Sequence, residues 1–316
     1  MSESVLTTDQ QLKSLWGLGG LTWRELAKRV WGGIDRNDLI NRAYELAYNF
    51  LLAVFPMLLF LLGLLGMFTA EDSKLRNDLF YYFQLALPPS AYQLLAHTLH
   101  EVTPTSAGGK LTFGLLFALY SGSSGMTQLM STLNAAYEVR EERSWIRVRL
   151  ISLALTLAMA ALVIAALFMV LAGGHVVATV GQTIGMSSAT YVITKIVQWT
   201  CALAFVVAAF AVIYYYAPNV HEQHWYWLTP GSIVGVALWA MASGALRVYL
   251  HFFNSYSKTY GSLGAVIILM LWFYVLGLSF LIGSQINATI EHAAAEHGHI
   301  EAKEPGDKVS TEKKAA

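Results

Sequence analysis

Long apolar runs separated by polar stretches dominate the pattern of this chain. The runs occupy 43–68, 111–137, 150–172, 196–217, 230–253 and 262–290. Each is long enough to cross the core of a bilayer, which takes about 20 apolar residues in a helix. Backbone polar groups inside lipid must be satisfied internally, and runs of this length achieve that as helices. The pattern therefore predicts an all-α, polytopic membrane protein with six transmembrane helices.

Two segments outside these runs are amphipathic. In "LTWRELAKRVW" the charged residues share one helical face, and the opposite face holds Trp23, Leu26, Ala27 and Val30. This arrangement predicts an N-terminal helix lying in the membrane interface, with a short soluble helix as the alternative. Residues 74–102 show a similar pattern interrupted by two prolines, which predicts short amphipathic helices on the outer side.

Composition and charge support a membrane protein and predict its orientation. Only 13% of the residues are charged, against about 25% in soluble domains. Six Lys or Arg precede the first run, four lie between the second and third, four are in the tail, and four lie on the other side. The positive-inside rule then makes both termini cytoplasmic. The expected layout is a cytoplasmic segment 1–41, a transmembrane domain 42–290 and a flexible polar tail 291–316.

The second run is too polar to face lipid on every side. Ser121, Ser124 and Gln128 follow helical spacing and form one hydroxyl- and amide-bearing stripe. Such a stripe lets helices pack closely and hydrogen-bond to each other. The alternative is that the stripe lines a wet cavity or substrate path. The glycines of this run also leave open a broken or re-entrant helix.

The fifth run contains an arginine, which is costly inside a bilayer. Arg247 lies in the outer third of the run, and His251 follows one helical turn later. Either Arg247 extends to the outer headgroups, or it faces the interior and pairs with an anionic group such as a phosphate. Under the second interpretation His251 belongs to the same substrate path.

The last run ends in "IGSQINATIEH", which is unusually polar for a membrane helix. Gly283 and Asn287 lie on a stripe of small residues suited to close helix packing. Gln285 lies on a separate polar stripe, near the predicted inner surface. It is a candidate for the cytoplasmic mouth of a substrate path.

Two further positions have a structural and a functional interpretation. Pro56 is expected to kink the first membrane helix, and a gating hinge is the alternative. Tyr260 and Gly261 are expected to form a tight outer turn, because glycine permits a positive φ. A substrate-contacting role is the alternative for that turn.

Sequence motifs for catalysis are not found. There is no Walker A loop and no GxSxG elbow, and "HEQH" at 221–224 has the wrong spacing for a zinc helix. Cys201 is the only cysteine, which excludes a cysteine-based metal site. We therefore expect no catalytic residues, no metal, no cofactor and no nucleic-acid partner. The expected partners are membrane lipids, and the oligomeric state is left open.

Several stretches resemble the YihY/BrkB family, formerly labelled ribonuclease BN. They are "NFLLAVFPMLLFLLGLLG", "ALYSGSSGMTQLMSTLNAAYEVREERSWIRVRL", "YYYAPN" and "YSKTYGSLGAVIILMLWFYVLGLSFLIGSQINA". The resemblance implies a multi-pass protein of the bacterial inner membrane with six helices, and a ribonuclease label that is a misassignment. It also implies a connection with serum resistance and with lipid or envelope transport. At a final-helix position where the family commonly has Glu or Gln, this chain has Gln285.

These observations favour a transporter or flippase-like protein for an anionic amphiphile, such as an envelope lipid. The polar stripe of the second run and the pair Arg247 and His251 are the residues that suggest it. A structural or assembly factor of the cell envelope is the first alternative. A membrane-embedded enzyme is the second, although no residue is nominated as its nucleophile or base.

Overall fold

The computed structural model describes residues 16–68, 108–184, 188–220, 229–252 and 262–297. These residues are helical almost throughout. After a 3₁₀ turn at Leu18–Gly20, the helices are α1 (Trp23–Arg36), α2 (Leu39–Phe68), α3 (Gly108–Gly122), α4 (Ser124–Ala136), α5 (Trp145–Ile184), α6 (Ser188–Tyr216), α7 (Pro230–Phe252) and α8 (Ser262–Glu296). The prediction of an all-helical membrane fold is confirmed. Residues 74–102, Tyr260 and Gly261 lie outside the described residues.

Four of these helices are long and apolar enough to cross a membrane. They are the segments Trp145–Ala166, Val192–Tyr216, Pro230–Tyr249 and Val266–Glu296. They correspond to the third to sixth predicted runs. The first run forms the 30-residue α2, which contains Pro56 within the helix. The count of six spans stays a prediction.

The second predicted span is two helices joined at Ser123. The hydrogen-bond ladder nevertheless continues across this junction. Ser123 N–H donates to Leu119 O at 2.9 Å, and Thr127 N–H donates to Ser123 O at 3.1 Å. Ser123 is fully buried, and its hydroxyl donates to Tyr120 O. The junction is therefore a local change in the helix, at a buried serine, rather than a break in backbone bonding.

Helix α1 begins at a capping box and packs against α8. Thr22 Oγ1 accepts from Glu25 N–H, and Glu25 Oε2 accepts from Thr22 N–H at 2.9 Å. These reciprocal bonds satisfy two backbone donors at the helix start. They also hold the pKa of the exposed Glu25 carboxyl below its usual range, chiefly through the Thr22 backbone bond.

Protein covers part of the apolar face predicted for α1. Leu26 and Val30 are buried, whereas Trp23 is 71% exposed and Ala27 is exposed too. Leu26 and Val30 join a cluster that includes Ile290 of α8. Contact with α8, which periodicity alone does not reveal, therefore selects the buried face. The placement of α1 in the membrane interface stays a prediction.

Helix α8 is the centre of the bundle. It packs against α1, α2, α4 and α7. Phe280 of α8 stacks on Phe210 of α6 with ring centroids 4.0 Å apart. The buried Tyr214 hydroxyl donates to Phe280 O at 3.0 Å. Because a buried hydroxyl needs a partner, this bond fixes α6 against α8 at that point.

Helices α7 and α8 cross at glycines. Gly231 N–H donates to Asn287 Oδ1 at 2.9 Å, and Asn287 Nδ2 donates to Thr229 Oγ1 at 3.0 Å. A Cβ atom on Gly283 would lie 2.5 Å from Gly231 O. We call Gly231, Gly283 and Asn287 the glycine crossing. It lets two backbones meet directly, as small residues do between membrane helices.

Long-range bonds bring several chain segments to one end of the bundle. Asn37 bonds Gln285, Asn219 bonds Arg140, and Arg29 bonds Glu296. The α1–α2 link, the α4–α5 loop, the residues after α6 and the last turns of α8 therefore lie together. We call this the α1 end. The charge distribution predicts that this end is cytoplasmic.

Candidate functional site

An open pocket of about 470 Å³ lies at the α1 end. We call it the polar pocket. Its lining comes from the link between α1 and α2, the first turn of α2 and the last turn of α4. The lining residues are Arg36, Asn37, Asp38, Arg42, Ala135 and Glu138. Five of these six side chains are polar or charged, so the pocket suits a charged ligand rather than an apolar one.

Two residues of the polar pocket have a left-handed backbone. Asp38 has φ of 51° and Glu138 has φ of 56°. Non-glycine residues in this conformation are uncommon and cost of order 1 kcal/mol each. Each is held by a turn: Asp38 N–H donates to Asp35 O at 3.1 Å, and Glu138 N–H donates to Ala135 O at 3.0 Å. Such outliers concentrate at functional sites.

The charges of the polar pocket balance. Arg36 and Arg42 are matched by Asp38 and Glu138. Arg36 Nη2 lies 3.8 Å from Glu138 Oε1, and the Arg36 side chain is 69% exposed. Arg42 Nε donates to Asn37 O at 2.9 Å, which fixes that guanidinium against the pocket wall. The Arg42 guanidinium is therefore held in one orientation, and the Arg36 guanidinium is accessible to solvent.

Gln285, the predicted mouth residue, lies beneath this pocket. It is 2% exposed. Asn37 Nδ2 lies 3.1 Å from Gln285 Oε1 and 3.3 Å from Glu138 Oε1, so one amide connects the two. Gln285 Nε2 donates to Thr289 Oγ1 at 3.4 Å. The structure thus places Gln285 behind Asn37, in a buried amide network, and Asn37 itself in the pocket wall.

Gly33 of α1 allows this network to form. A Cβ atom there would lie 2.7 Å from Gln285 Cδ, whereas a Cβ on the preceding Gly32 would meet only Arg36 Nη1 at 3.8 Å. The adjacent glycines are therefore a matched pair, one packed and one open.

Gly33→Ala is expected to destabilise the docking of α1 by about 1–2 kcal/mol, because an added methyl group must displace a buried amide. Gly32→Ala is expected to be neutral or stabilising, since alanine is the better helix former. Thermal unfolding in detergent and hydrogen exchange of the α1 amides measure both effects. Equal behaviour of the two variants would contradict the role assigned to Gly33.

The polar stripe of the second run meets α2. Gln128 Nε2 donates to Glu45 Oε2 of α2 at 3.3 Å. Ser121 and Ser124 are half-buried, as Gln128 is. Gln128 therefore meets a carboxylate that sequence analysis did not select. Glu45 follows Arg42 by one helical turn, which connects this stripe to the polar pocket.

The other predicted path residues lie elsewhere. Arg247 is exposed on α7 and does not line the polar pocket. His251 lies in α7 near the end of that helix, and its side chain is not among those described. Pro56 is half-buried within α2, where the helix continues past it. The structure therefore places Gln285 near the polar pocket and Gln128 beside Glu45. Arg247 lines neither the polar pocket nor the contact between Gln128 and Glu45.

Asn134 is a central residue that sequence analysis missed. It is 4% exposed. Its Oδ1 accepts from Asn219 N–H at 2.6 Å, and its Nδ2 donates to Glu141 Oε2 at 2.8 Å. Asn219 Nδ2 in turn donates to Arg140 O at 2.9 Å. This network holds the segment "YYYAPN" against the α4–α5 loop. Both segments belong to the stretches that carry the family resemblance.

An ion pair strengthens the same loop. Arg143 Nη2 lies 2.6 Å from Glu141 Oε2 and donates to Ala217 O at 3.0 Å, and the Arg143 side chain is only 7% exposed. Burial by itself would raise the pKa of the Glu141 carboxyl. Hydrogen bonds from Arg143 and Asn134 outweigh it and hold that pKa below its usual range. The carboxylate therefore stays ionised at neutral pH and keeps its bonds from Arg143 and Asn134, which connect the α4–α5 loop to α4.

Arg149 lies within α5 and reaches towards α3. Its guanidinium carbon is 3.6 Å from the centroid of the Tyr120 ring, a cation–π contact. It also donates to Tyr120 O and lies 3.5 Å from Thr127 Oγ1. A local charge count cannot show this contact, because the partners lie on other helices.

A metal centre is not built by the described residues. Among residues 16–68, 108–184, 188–220, 229–252 and 262–297 there is no group of three or more His, Cys, Asp or Glu side chains that could hold an ion. The Nδ1 atom of His297 lies 2.7 Å from Ala293 O, one helical turn earlier in the chain. The "HEQH" segment lies outside the described residues.

These helices and this site define a polytopic, all-helical membrane protein. Comparison with known families gives the particular group. The family profile of Virulence factor BrkB matches residues 30–307. The chain therefore belongs to the BrkB virulence factor family, as the sequence resemblance predicted.

Relatives in other bacteria agree with this assignment. A ribonuclease-like protein, YfkH, of Bacillus subtilis strain 168 is 34% identical over 250 residues, which cover 79% of this chain and 89% of YfkH. A UPF0761 membrane protein of Laribacter hongkongensis is 21% identical, covering 83% of this chain and 60% of that protein. Another from Tolumonas auensis is 21% identical and covers 83% of each chain.

The relatives from Laribacter hongkongensis and Tolumonas auensis are named as membrane proteins, and neither name describes an enzyme. The ribonuclease-like name of YfkH is a mislabel without support. No solved structure is significantly similar to this chain.

Proposed function

We propose that this protein moves an amphiphile with an anionic headgroup, such as an envelope lipid, across or within the membrane. The observation that carries the proposal is the polar pocket at the α1 end of an otherwise apolar helical bundle. Such a pocket offers a place where a charged headgroup is bound while the attached chains remain in lipid.

The arginines of the polar pocket suit a phosphate. Guanidinium groups present several donors in a planar fork that matches phosphate and carboxylate oxygens. Arg36 is mostly exposed and faces Glu138 only at 3.8 Å, so a ligand oxygen competes for its donors at little cost. Arg42 is oriented by its bond to Asn37 O, which reduces the entropy lost when a ligand binds.

The surroundings support a preformed site rather than an accidental surface cleft. Asp38 and Glu138 hold left-handed backbones, and Asn37 is bonded to the buried Gln285. Asp38 and Glu138 are the residues that follow the C-caps of α1 and α4, where a left-handed backbone commonly ends a helix, and they set the direction in which the chain leaves each helix at the pocket. Because the sequence carries no nucleotide-binding loop, movement would be facilitated or driven by a gradient rather than by ATP.

Reconstituted liposomes containing fluorescent lipids test the proposal. The wild-type protein is expected to move an acidic phospholipid faster than protein-free vesicles do. Arg36→Gln with Arg42→Gln is expected to slow this by about 100- to 10,000-fold, since each of the two lost charge-assisted hydrogen bonds is worth roughly 1.5–3 kcal/mol. Arg24→Gln, on the exposed face of α1, is the matched control and should keep the rate.

Two outcomes would contradict the proposal. One is a rate equal to that of protein-free vesicles for every headgroup. The other is a double variant that is as fast as wild type. If the pocket variants lower only the abundance of the protein, the alternative of an envelope assembly factor gains support. An Arg247→Ala arm tests the sequence-based prediction that Arg247 belongs to the substrate path.

A further inference from the structure

Each arginine of the polar pocket is accompanied by a carboxylate. Arg36 Nη2 lies 3.8 Å from Glu138 Oε1. Arg42 is one helical turn beyond Asp38, and its N–H donates to Asp38 O at 3.1 Å. All four residues line the same open space. A bound headgroup therefore meets an anion-binding group and a hydrogen-bond acceptor side by side, at two places in the pocket.

The two carboxylates keep acceptor capacity after their bonds within the protein are made. Asp38 Oδ1 accepts from Asn41 Nδ2 at 2.8 Å, and Glu138 Oε1 accepts from Asn37 Nδ2 at 3.3 Å. An ionised carboxylate has two oxygens and about four acceptor positions. Asp38 is exposed, and the Glu138 side chain is 28% exposed. Each carboxylate can therefore accept further hydrogen bonds from a ligand that carries hydroxyl or ammonium groups.

The nearby arginines decide between a hydroxyl and an ammonium group. An ammonium group bonded to Glu138 would lie close to the Arg36 guanidinium, and like charges repel at that distance. A hydroxyl is neutral, so it donates to the carboxylate without that repulsion. The pocket balances two positive side chains with two negative ones, so a phosphate with a single negative charge disturbs it less than one with two. The electrostatics therefore favour a phosphodiester whose second substituent carries hydroxyls.

We infer that the polar pocket recognises a lipid headgroup in which a polyol follows the phosphate, as in a phosphoglycerol group. This inference rests on the proposed function and names the class of anionic headgroup that the same pocket takes. The phosphate binds Arg36 and Arg42, and the polyol hydroxyls donate to Asp38 and Glu138. The pocket volume of about 470 Å³ equals the share of roughly 15 water molecules at about 30 Å³ each, which is enough for a phosphate and a small polyol.

The backbone at the two carboxylates allows them to be removed without removing the turns. Asp38 and Glu138 follow helix C-caps and have φ of 51° and 56°. Glycine is the residue most often found at this position, because it has no Cβ to strain. The turn bonds are made by the backbone N–H groups of both residues, and glycine keeps those groups. Glycine substitutions therefore delete the acceptors while the chain keeps its path.

Competition between tracer lipids for the purified full chain tests the inference. The tracers have identical acyl chains, and their phosphates carry glycerol, methyl or ethanolamine. The glycerol and methyl lipids have the same charge and differ in their hydroxyls. Native mass spectrometry at equal tracer concentrations is expected to show about tenfold more bound glycerol lipid than methyl lipid, the scale of one charge-assisted hydrogen bond. The ethanolamine lipid should bind no better than the methyl lipid.

The variants separate recognition from structure. Asp38→Gly with Glu138→Gly is expected to abolish the preference for the glycerol lipid. Binding of the methyl lipid should stay unchanged or rise, because two negative charges are gone, whereas loss of a structural contact would weaken both lipids by the same factor. Arg36→Gln with Arg42→Gln should weaken both lipids and keep their ratio. Glu142→Gln, in the exposed α4–α5 loop, is the matched control and should change neither lipid.

The outcomes distinguish this inference from the proposed function. Equal binding of the glycerol and methyl lipids, or a preference that survives the double glycine variant, would overturn the inference and leave the proposed function intact. Stronger binding of the ethanolamine lipid than of the glycerol lipid would overturn both. Displacement of the glycerol lipid by its water-soluble deacylated headgroup at the same concentration would overturn a lipid as the source of that headgroup. The expected preference in a protein that moves no lipid in liposomes would support the headgroup class and overturn the proposed movement.

Discussion

Gly231→Ala is expected to lower the free energy of unfolding by about 3 kcal/mol, the upper range for overpacking a tight core. A Cβ atom at this position would lie 2.5 Å from Asn287 Oδ1 and closer still to Gly283 O. Both neighbours are buried, and Gly283 O is a backbone atom that cannot move without shifting a helix. The same methyl group would also weaken the bond from Gly231 N–H to Asn287.

The matched control lies in the same helix. A Cβ on Gly244 would have no neighbour within 4 Å, so Gly244→Ala should leave stability unchanged or slightly raised. Thermal unfolding of the detergent-solubilised protein, monitored by size-exclusion chromatography, compares Gly231→Ala with Gly244→Ala. Similar melting temperatures for both variants would show that the glycine crossing is not a close-packed contact.

Asn134→Ala is expected to cost about 3 kcal/mol. It leaves the Asn219 N–H without a partner, which costs roughly 1–3 kcal/mol, and it removes one hydrogen bond from the Glu141 carboxylate, which keeps its bonds from Arg143. The loss should also loosen the α4–α5 loop, which limited proteolysis of residues 137–144 can detect. Asn134→Asp should fare no better, since it places a second carboxylate beside Glu141.

Asn41 provides the control for this prediction. Its Nδ2 donates to Asp38 Oδ1 at 2.8 Å, but Asn41 is exposed. Water replaces such a bond, so Asn41→Ala should change stability by no more than about 0.5 kcal/mol. A loss for Asn134→Ala as small as that for Asn41→Ala would mean that the network around Asn134 does not hold the loop.

The helices of the membrane part could be predicted because their signal is local. A continuous apolar run must satisfy its backbone within itself, whatever lies beside it. That reasoning gave the helical class, and it located α5 to α8. It also suggested that Gly283 and Asn287 pack closely, and the structure places both at the glycine crossing.

The polar pocket could not be predicted in the same way. Asn37 and Asp38 look like ordinary residues of a turn between two helices. Their role depends on Glu138 and Gln285, which are far away along the chain. Gly33 offered a weak signal, since a glycine inside an amphipathic helix costs stability unless something packs there. Its neighbour Gly32, which packs against nothing closely, shows why that signal alone is ambiguous.

The faces of α1 and α2 illustrate the same limit. Periodicity placed Trp23 and Leu26 on one apolar face, but it could not show that α8 covers Leu26 and leaves Trp23 exposed. Glu45 was overlooked because a single carboxylate near the start of a span resembles a surface charge. Its bond to Gln128 and its place one turn beyond Arg42, which lines the polar pocket, become visible only in the folded chain.

The contact between α1 and α8 also sets an order of events during synthesis. Asn37 and Gln285 are 248 residues apart. A ribosome adding about 5–20 residues per second therefore needs roughly 12–50 s between them. Throughout that interval the apolar face that holds Leu26 and Val30 has no α8 to cover it. A chain arrested before α8 thus differs at its surface from one that has passed that point, which gives membrane proteases and chaperones a physical means of distinguishing them.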